Sequence, residues 1–219
     1  LVTVLLETIL GIGMALVMAK DFHGRGLLRA AVLVPWAIPT AITAKLWAFL
    51  FSEQGIVNSI FHAHVAWQTD PWAARFSIIL ADVWKTTPFM ALLILAGLQM
   101  IPKDLYEAAR MDGANAWQRF TRITLPLAKN SIIVAVLFRM LDALRMYDLP
   151  YIMVGPNPDS PTATLSQLVV AAIRQDHVNA ASALSTLIFL LIFLIALCFV
   201  KSLGSKVAHQ AEPVVAEEE

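Results

Sequence analysis

Five long apolar segments, separated by shorter polar ones, dominate the pattern of residues along this chain. The clearest is 180–200, which contains no charged residue. A helix of about 20 apolar residues crosses a hydrocarbon core about 30 Å thick. Because lipid offers the backbone no hydrogen-bonding partner, we expect each segment to be helical. The other four segments carry one to four charges each and are 1–19, 27–51, 76–101 and 127–147.

This pattern predicts an all-α, polytopic transmembrane bundle with about five spans in the chain. The composition agrees, because 58% of the 219 residues are hydrophobic and 15% are charged, whereas soluble domains carry about 25% charged residues. The net charge is zero, so no bulk attraction to nucleic acid is expected. The single cysteine, Cys198, cannot form a disulfide within the chain.

The lysines and arginines of the polar segments are unequally divided between the two sides of such a bundle. One side receives the turn 20–26, the polar segment 102–126 and the C-terminus, and the other receives the remaining loops. The first side then carries Lys20, Arg25, Arg29, Lys103, Arg110, Arg119, Arg122, Lys129, Lys201 and Lys206, against Arg75 and Arg174 on the second. Cationic loops stay in the cytoplasm, so we expect the polar segment and the C-terminus to be cytoplasmic. The chain then begins outside, which leads us to expect a preceding span in the full protein.

The polar segment 102–126 is predicted to form two short helices joined at Gly113. Pro102 suits the first turn of a helix, and Gly113 can end that helix in the left-handed conformation. Asn115 and Gln118 have the spacing of a capping box for the second helix. Pro126 then begins the next span. Periodicity alone leaves open an amphipathic helix that lies on the membrane surface.

The same segment resembles the coupling loop of the permeases of bacterial ABC importers, whose pattern is EAA, three residues, Gly, nine residues, Ile, one residue, Leu-Pro. The matching residues are Glu107, Ala108, Ala109, Gly113, Ile123, Leu125 and Pro126, with Asp112 beside the glycine. Residues 138–151 and the pair Thr164-Leu165 resemble further segments of carbohydrate permeases, although the Gly-Gly-Pro turn of those proteins has only Gly155 here. The resemblance covers about 24–203 and points to the maltose/trehalose/glycerol-phosphate branch, nearest to disaccharide importers of the trehalose type.

The resemblance implies a type I ABC importer permease fold with six spans in the full protein. Residues 1–203 would form the transmembrane domain, with 102–126 as the cytoplasmic coupling loop, and 204–219 would be a disordered cytoplasmic tail. The chain would pair with a second permease in the bacterial cytoplasmic membrane. Two ATPase subunits would dock on the coupling loops, and an extracytoplasmic binding protein would deliver a sugar.

The chain itself is predicted to be a transport subunit and not an enzyme. It has no Gly-x-x-x-x-Gly-Lys-Ser/Thr loop, so we expect ATP and Mg²⁺ to be held by the partner ATPase subunits and no cofactor by this chain. His62 and His64 lack a third ligand nearby, so no metal site is predicted. Two alternatives stay open: an importer of glycerol-phosphate or another solute, and a secondary transporter or channel that works alone.

Charged residues inside the predicted spans form a second group of candidates. An unpaired charge near the centre of a bilayer costs about 3 kcal/mol, so residues spaced by three are expected to pair along each helix and face protein or water. They would line the translocation path or brace the helices beside it, and nearby aromatic residues would stack on a sugar or anchor at the interface. The candidates are Asp82, Trp84, Lys85, Arg139, Asp142, Arg145, Tyr147 and Tyr151, with Asp148 continuing the series.

Overall fold

The computed structural model describes residues 1–62, 64–156, 160 and 162–211, with side chains described as far as Lys201. These residues form helices and connecting turns, and none of them forms a β-strand. The helices are α1 (Val2–Met18), α2 (Arg25–Ala37), α3 (Thr40–Leu50), α4 (Ile56–Phe61), α5 (Pro71–Gln99), α6 (Lys103–Met111), α7 (Ala116–Arg119), α8 (Leu125–Leu144), α9 (Asp148–Val154), α10 (Leu165–Arg174) and α11 (Val178–Ala211).

Three helices of the described chain are long and apolar enough to cross a membrane, and a bent pair makes a fourth candidate. The three are Pro71–Gln99, Ala116–Leu144 and Val178–Lys201. By this test the described chain has three or four spans, where about five are expected. The segment 1–19 forms α1, an apolar helix of 17 residues, at the lower limit of the length that crosses a bilayer.

The predicted span 27–51 is not one straight helix. It consists of α2 and α3, whose axes differ by 86°. The break lies at Ile38, which is extended (φ −72°, ψ 132°) and precedes Pro39. A residue before proline is pushed away from the helical conformation by the proline ring, so the sequence Ile-Pro explains where the helix ends.

The sequence predicted that the second short helix of the polar segment ends before the next span, but in the structure it does not. It continues as one helix over Ala116–Leu144, with a π-helical turn at Phe120–Thr124 between α7 and α8. In that turn the N–H of Leu125 donates to the carbonyl of Phe120. Pro126 has no N–H and its ring crowds the preceding turn, and the wider π turn ahead of it accommodates the proline without a break.

Small residues bring α1, α5 and α8 into close contact at the centre of the bundle. Ala15, Ala91 and Ala135 are completely buried in one apolar cluster that also contains Met90 and Ile94. The backbone of Gly11 lies against the side chain of Met90, where a methyl group would not fit. Close approach at small residues is the usual way in which membrane helices pack.

The connection 148–179 contains two short helices, and the last helix continues beyond residue 201. Helices α9 and α10 lie in the connection, and the turn after α9 begins at Gly155 with φ +97°, while residues 157–159 lie outside the described residues. Helix α11 extends to Ala211 and so enters the segment 204–219, for which a disordered tail is predicted. Residues 212–219 lie outside the described residues.

Candidate functional site

Helix α6 and the turn after it have the local structure that the motif predicts. Asp112 ends the helix, and Gly113 follows with φ +77°. The N–H of Gly113 donates to the carbonyl of Arg110 (3.0 Å), and the N–H of Ala114 donates to that of Ala109 (2.9 Å). These two bonds form a Schellman motif, in which the left-handed residue favours glycine. The predicted capping box follows, since Asn115 and Gln118 exchange hydrogen bonds of 2.8 and 2.9 Å.

The motif residues of α6 project away from the bundle. Glu107, Ala108, Asp112 and Gly113 are exposed, and Ala109 is half-buried. No residue of α6 is buried. Met111, which is 88% exposed, and Trp117, which is 70% exposed, place apolar surface beside the motif. This is an apolar and acidic surface on a helix that packs only loosely against its own chain.

Hydrogen bonds and apolar contacts attach the polar segment to the start of α8. The hydroxyl of Tyr106 on α6 lies 3.0 Å from Oγ1 of the buried Thr124 in the π turn. Arg119 donates to the carbonyl of Ala114 (2.5 Å), and the ring of Trp117 lies against that of Phe120. Of the remaining motif residues, Ile123 is half-buried and Leu125 and Pro126 are exposed at the start of α8. Displacement of α6 would therefore be transmitted to α8.

A basic cavity of about 860 Å³ lies between α6 and the turn that joins α1 to α2. Asp21 in that turn accepts a hydrogen bond from Nζ of Lys103 at 3.2 Å and pairs with Arg25. The hydrogen bond from Lys103 and the charges of Lys103 and Arg25 lower the pKa of Asp21 below its ordinary value of 3.8. All three side chains are largely exposed, so this ion pair is a weak tie between α6 and the turn.

Arg139 on α8 is the centre of an ionic cluster, which comprises Glu7, Asp82, Arg139 and Asp142 and is buried except at Asp142. Its Nε and Nη2 donate to the carboxylate of Glu7 at 2.5 and 3.1 Å. Nη2 also donates to Asp82 at 2.5 Å, and Nη1 donates to Asp142 at 3.0 Å. The side chains of Glu7 and Arg139 are 0% and 2% exposed. The ionic cluster therefore joins α1, α5 and α8 through one guanidinium.

The charged residues of the spans form only one of the ion pairs that the spacing predicted. Arg139 and Asp142 do pair along α8, but Asp82 bonds to Arg139 on another helix and not to Lys85. Nζ of Lys85 instead donates to the carbonyls of Ile38 and Trp36. The ladder along α8 also stops at Leu144, where the helix ends, and Arg145 donates to the carbonyl of Leu141 at 3.3 Å.

A polar cavity of about 180 Å³ lies beside the ionic cluster. Thr40 and Thr86 also line it, so hydroxyl groups stand among its charges. The carboxylate oxygens that Arg139 leaves free and the guanidinium of Arg145 offer hydrogen-bond acceptors and donors to a polar solute. The predicted residues that line this cavity are Asp82, Lys85, Asp142, Arg145, Tyr147 and Asp148.

The other predicted candidates lie around the cavity and not in its wall. Arg139 lies behind Asp82 and Asp142 as their partner. Tyr151 stacks on Tyr147 with ring centres 4.9 Å apart, and the guanidinium of Arg174 lies 5.3 Å from the Tyr151 ring. Trp84 packs edge-on against Trp47 in the apolar part of the bundle.

The sequence reasoning missed Glu7 as part of this site and treated it only as an interruption of an apolar segment. Glu7 is completely buried, and it accepts a further hydrogen bond from Thr86 at 2.8 Å. A single carboxylate in an apolar segment must be neutralised by a partner. The absence of a cation three or four residues away was the signal that this partner lies on another helix.

No group of three or more histidine, cysteine, aspartate or glutamate residues in the described part of the chain has the geometry to hold a metal ion. The carboxylates of the ionic cluster converge on Arg139, whose guanidinium takes the position that a cation would otherwise fill.

Comparisons with known proteins agree with this helical fold. The profile of the family described as binding-protein-dependent transport system inner membrane component matches residues 7–209. The trehalose/maltose transport system permease protein MalF of Thermococcus litoralis is 45% identical over 205 residues, covering 91% of this chain and 70% of that protein. The trehalose transport system permease protein SugA of Mycobacterium tuberculosis is 39% identical over 206 residues, covering 93% and 66%. The chain thus spans about two thirds of the length of these relatives.

The fold is similar to that of a solved membrane transporter. A chain in the crystal structure of a bacterial ABC transporter involved in the import of the acidic polysaccharide alginate superimposes with a TM-score of 0.79. The two chains are 24% identical, and the match covers 93% of this chain and 77% of the other. At this identity the likeness establishes the helical fold alone.

Proposed function

This chain belongs to the family of binding-protein-dependent transport system inner membrane components, and we propose that it is the membrane-spanning subunit of an ATP-driven importer for a disaccharide or oligosaccharide. Its identity to permease proteins named for trehalose and maltose transport is the observation that carries the choice of substrate. Relatives of this kind are transport components and not catalytic enzymes. The ATP and Mg²⁺ would be bound by partner subunits.

The polar segment is proposed to transmit movement from an ATPase subunit to the spans. Its exposed motif residues and the apolar side chains of Met111 and Trp117 offer a docking surface of suitable chemistry. The Schellman turn and the capping box hold α6 and α7 at a set angle, so the segment can move as one body. Because α7 continues into α8, closure of the ATPase pair would rotate a helix that carries Arg139.

The cation distribution supports the cytoplasmic position of the polar segment. Ten lysines and arginines lie on the side of the polar segment, against two on the other side, and such a bias places the cationic side in the cytoplasm. The orientation can be tested with a cysteine at the exposed position 111 in a Cys198→Ser background, in the chain expressed without ATPase subunits that would cover this position. We expect a membrane-impermeant thiol reagent to label Met111→Cys in inside-out vesicles and not in intact cells; the opposite result would overturn the orientation.

The polar cavity is proposed to be part of the translocation path. Its volume of about 180 Å³ is below the roughly 300–1,000 Å³ of typical small-molecule sites, so a second permease would have to supply the opposite wall. Within this chain, Arg139 would hold the carboxylates of Asp82 and Asp142 in place. Their free oxygens, with the hydroxyl of Tyr147, would then face the hydroxyl groups of a passing sugar.

The function is tested by uptake of labelled trehalose and maltose into cells that lack the gene and carry it on a plasmid. The wild-type gene is expected to restore uptake, and Glu107→Lys and Gly113→Pro are expected to abolish it while the protein still inserts. Glu53→Lys is the matched control, because Glu53 is also exposed but lies outside the polar segment. An ATPase should co-purify with the wild-type protein and be reduced with the two variants.

The same assay separates the alternatives. Competition by unlabelled glycerol-phosphate but not by disaccharides would favour the other solute class. Uptake that follows an ion gradient, with no ATPase in the purified complex, would favour a transporter that works alone. Normal uptake by both Glu107→Lys and Gly113→Pro would contradict the role of the polar segment.

A further inference from the structure

The break between α2 and α3 leaves backbone carbonyls without helical partners. Helix α2 ends at Ala37, Ile38 is extended, and α3 begins at Thr40. The last four carbonyls of any helix receive no N–H from the next turn, and Pro39 has no N–H to offer. At an angle of 86° the start of α3 cannot take the place of that turn. The negative end of the α2 dipole therefore needs a donor from elsewhere.

Lys85 on α5 supplies that donor. Its Nζ lies 2.5 Å from the carbonyl oxygen of Ile38 and 3.5 Å from that of Trp36. The residue is only 8% exposed, so its ammonium group has exchanged most of its water for these oxygens. The nearest carboxylate along α5, Asp82, is bound to Arg139 instead. The principal ligands of the Lys85 ammonium are thus backbone carbonyls at the break.

This arrangement matches the chemistry of cation sites in broken membrane helices. Carbonyl groups at the end of such a half-helix bind Na⁺ in several transporters, because they concentrate negative potential where no water is available. Here a tethered ammonium occupies the corresponding position. The break can therefore be stabilised without an ion from solution, while the other half-helix begins at Thr40 on the wall of the polar cavity.

We propose that Lys85 is a positioning residue that sets the angle between α2 and α3 by capping the carbonyls at the break in place of a bound cation. It acts on the shape of the cavity through these two helices and not through contact with the sugar. A stacking contact between Trp36 and Phe89, with ring centres 5.5 Å apart, also ties α2 to α5. Loss of the ammonium alone should therefore loosen the angle without separating α2 from α5. The inference rests on the proposed function only for its transport readout.

The angle is measured directly by the distance between two spin labels in the purified protein. The labels are attached to Leu27→Cys and Phe49→Cys in a Cys198→Ser background, since these positions are 78% and 65% exposed and lie near the outer ends of α2 and α3. Lys85→Met should broaden the distance distribution or shift it by roughly 5 Å, because α3 acts as an arm about 16 Å long. Lys85→Arg should keep the wild-type distribution. Lys45→Met is the matched control, because Lys45 is an exposed lysine on α3.

An unchanged distribution in Lys85→Met would overturn the proposal, whatever the protein transports. Should Lys85→Met fail to accumulate, the same distance is measured in Lys85→Ala prepared with propylammonium, before and after its removal. No change on removal would likewise overturn the proposal, and a change would support it.

Chemical rescue distinguishes the effect of the Lys85 charge from the effect of its side-chain packing. In proteoliposomes that contain the whole complex, Lys85→Ala is expected to lower the maximum rate of sugar uptake roughly tenfold, the scale expected for losing a hydrogen bond from a charged group. Propylammonium should restore the rate and 1-propanol should not, since only the former returns the charge. Restoration by both compounds, or by neither, would contradict the cap. If the label distance responds to Lys85 but the wild-type complex imports no disaccharide, the cap stands and the proposed substrate is wrong.

Discussion

The ionic cluster and the polar segment are both hydrophilic parts of a hydrophobic protein, but they depend on different kinds of contact. The ionic cluster joins Glu7, Asp82 and Arg139 from three helices, and Glu7 and Arg139 lie 132 residues apart in the chain. The turn of the polar segment is held by bonds between residues three to five apart, and most of its motif residues face solvent.

Because of this difference, substitutions in the two regions should have different effects on the stability of the protein. A buried charge that loses its partner cannot recover the free energy of hydration, so substitutions in the ionic cluster should affect the stability of the whole bundle. An exposed turn can lose a bond and replace it with water. Substitutions in the polar segment should therefore impair coupling while leaving the bundle folded.

The largest effect on stability is expected from Arg139→Met. Removing the guanidinium leaves Glu7 and Asp82 as unpaired buried carboxylates, and breaking a buried ion pair in this way costs about 3–5 kcal/mol. The measurement is the unfolding midpoint of the purified protein in detergent. Arg122→Met is the control, because Arg122 is exposed on the same continuous helix. Equal midpoints for the two variants would mean that the ionic cluster does not hold the bundle together.

A smaller loss is expected from Glu7→Gln, which preserves shape and removes one charge. Arg139 would lose a charge-assisted bond, and the new amide would place a donor against the guanidinium, so we expect a cost of about 1.5–3 kcal/mol. Asp142→Asn is the control within the ionic cluster. Its side chain is 64% exposed, and exposed pairs contribute about 0–1 kcal/mol. If Asp142→Asn destabilises the protein as much as Glu7→Gln, burial does not determine how much the Arg139–Glu7 and Arg139–Asp142 pairs contribute to stability.

The same contrast explains what the sequence could predict. The left-handed Gly113 and the capping box of Asn115 and Gln118 are confirmed, because both partners of each bond lie within five residues and follow known local preferences. The likeness to a family of membrane permeases could also be identified, because the EAA motif is contiguous in the chain. The apolar helices Pro71–Gln99 and Val178–Lys201 required only their composition.

Contacts between helices could not be predicted in this way. The partner of Asp82 was expected at Lys85 on the same helix and lies on α8 instead. The pair Ile38-Pro39 accounts for the position of the break, but its angle of 86° depends on Lys85, which is more than forty residues away in the chain. Likewise, Pro126 was expected to begin a new helix, yet the π turn before it keeps the helix continuous. Each of these outcomes depends on a packing geometry that a single sequence does not encode locally.

In the polar segment, Gly113→Ala is expected to cost about 1–2 kcal/mol. A methyl group at this position meets no other atom, so the cost comes entirely from φ +77°. Gly26→Ala is the control, since Gly26 has equally open surroundings at the start of helix α2 and an ordinary φ, and alanine is the better helix former there. The measurement is hydrogen exchange of the amides of Gly113 and Ala114, which should be faster only in Gly113→Ala. Equal exchange in both variants would show that the left-handed conformation does not determine the turn.

The smallest effect is expected from Asp21→Asn, the exposed tie between α6 and the turn after α1. Lys103 and Arg25 lower the pKa of Asp21 below 3.8, so its contribution is complete above pH 3.8 and is lost as the pH falls through the lowered pKa. Because the side chains are exposed and screened by salt, Asp21→Asn should leave the unfolding midpoint at pH 7 unchanged within error at high salt. Any small deficit should appear only at low salt and disappear below the lowered pKa, where the wild-type carboxyl is also neutral. A deficit that persists at high salt would mean that α6 is attached to the bundle as firmly as the ionic cluster joins its helices, and would remove the distinction between the two regions.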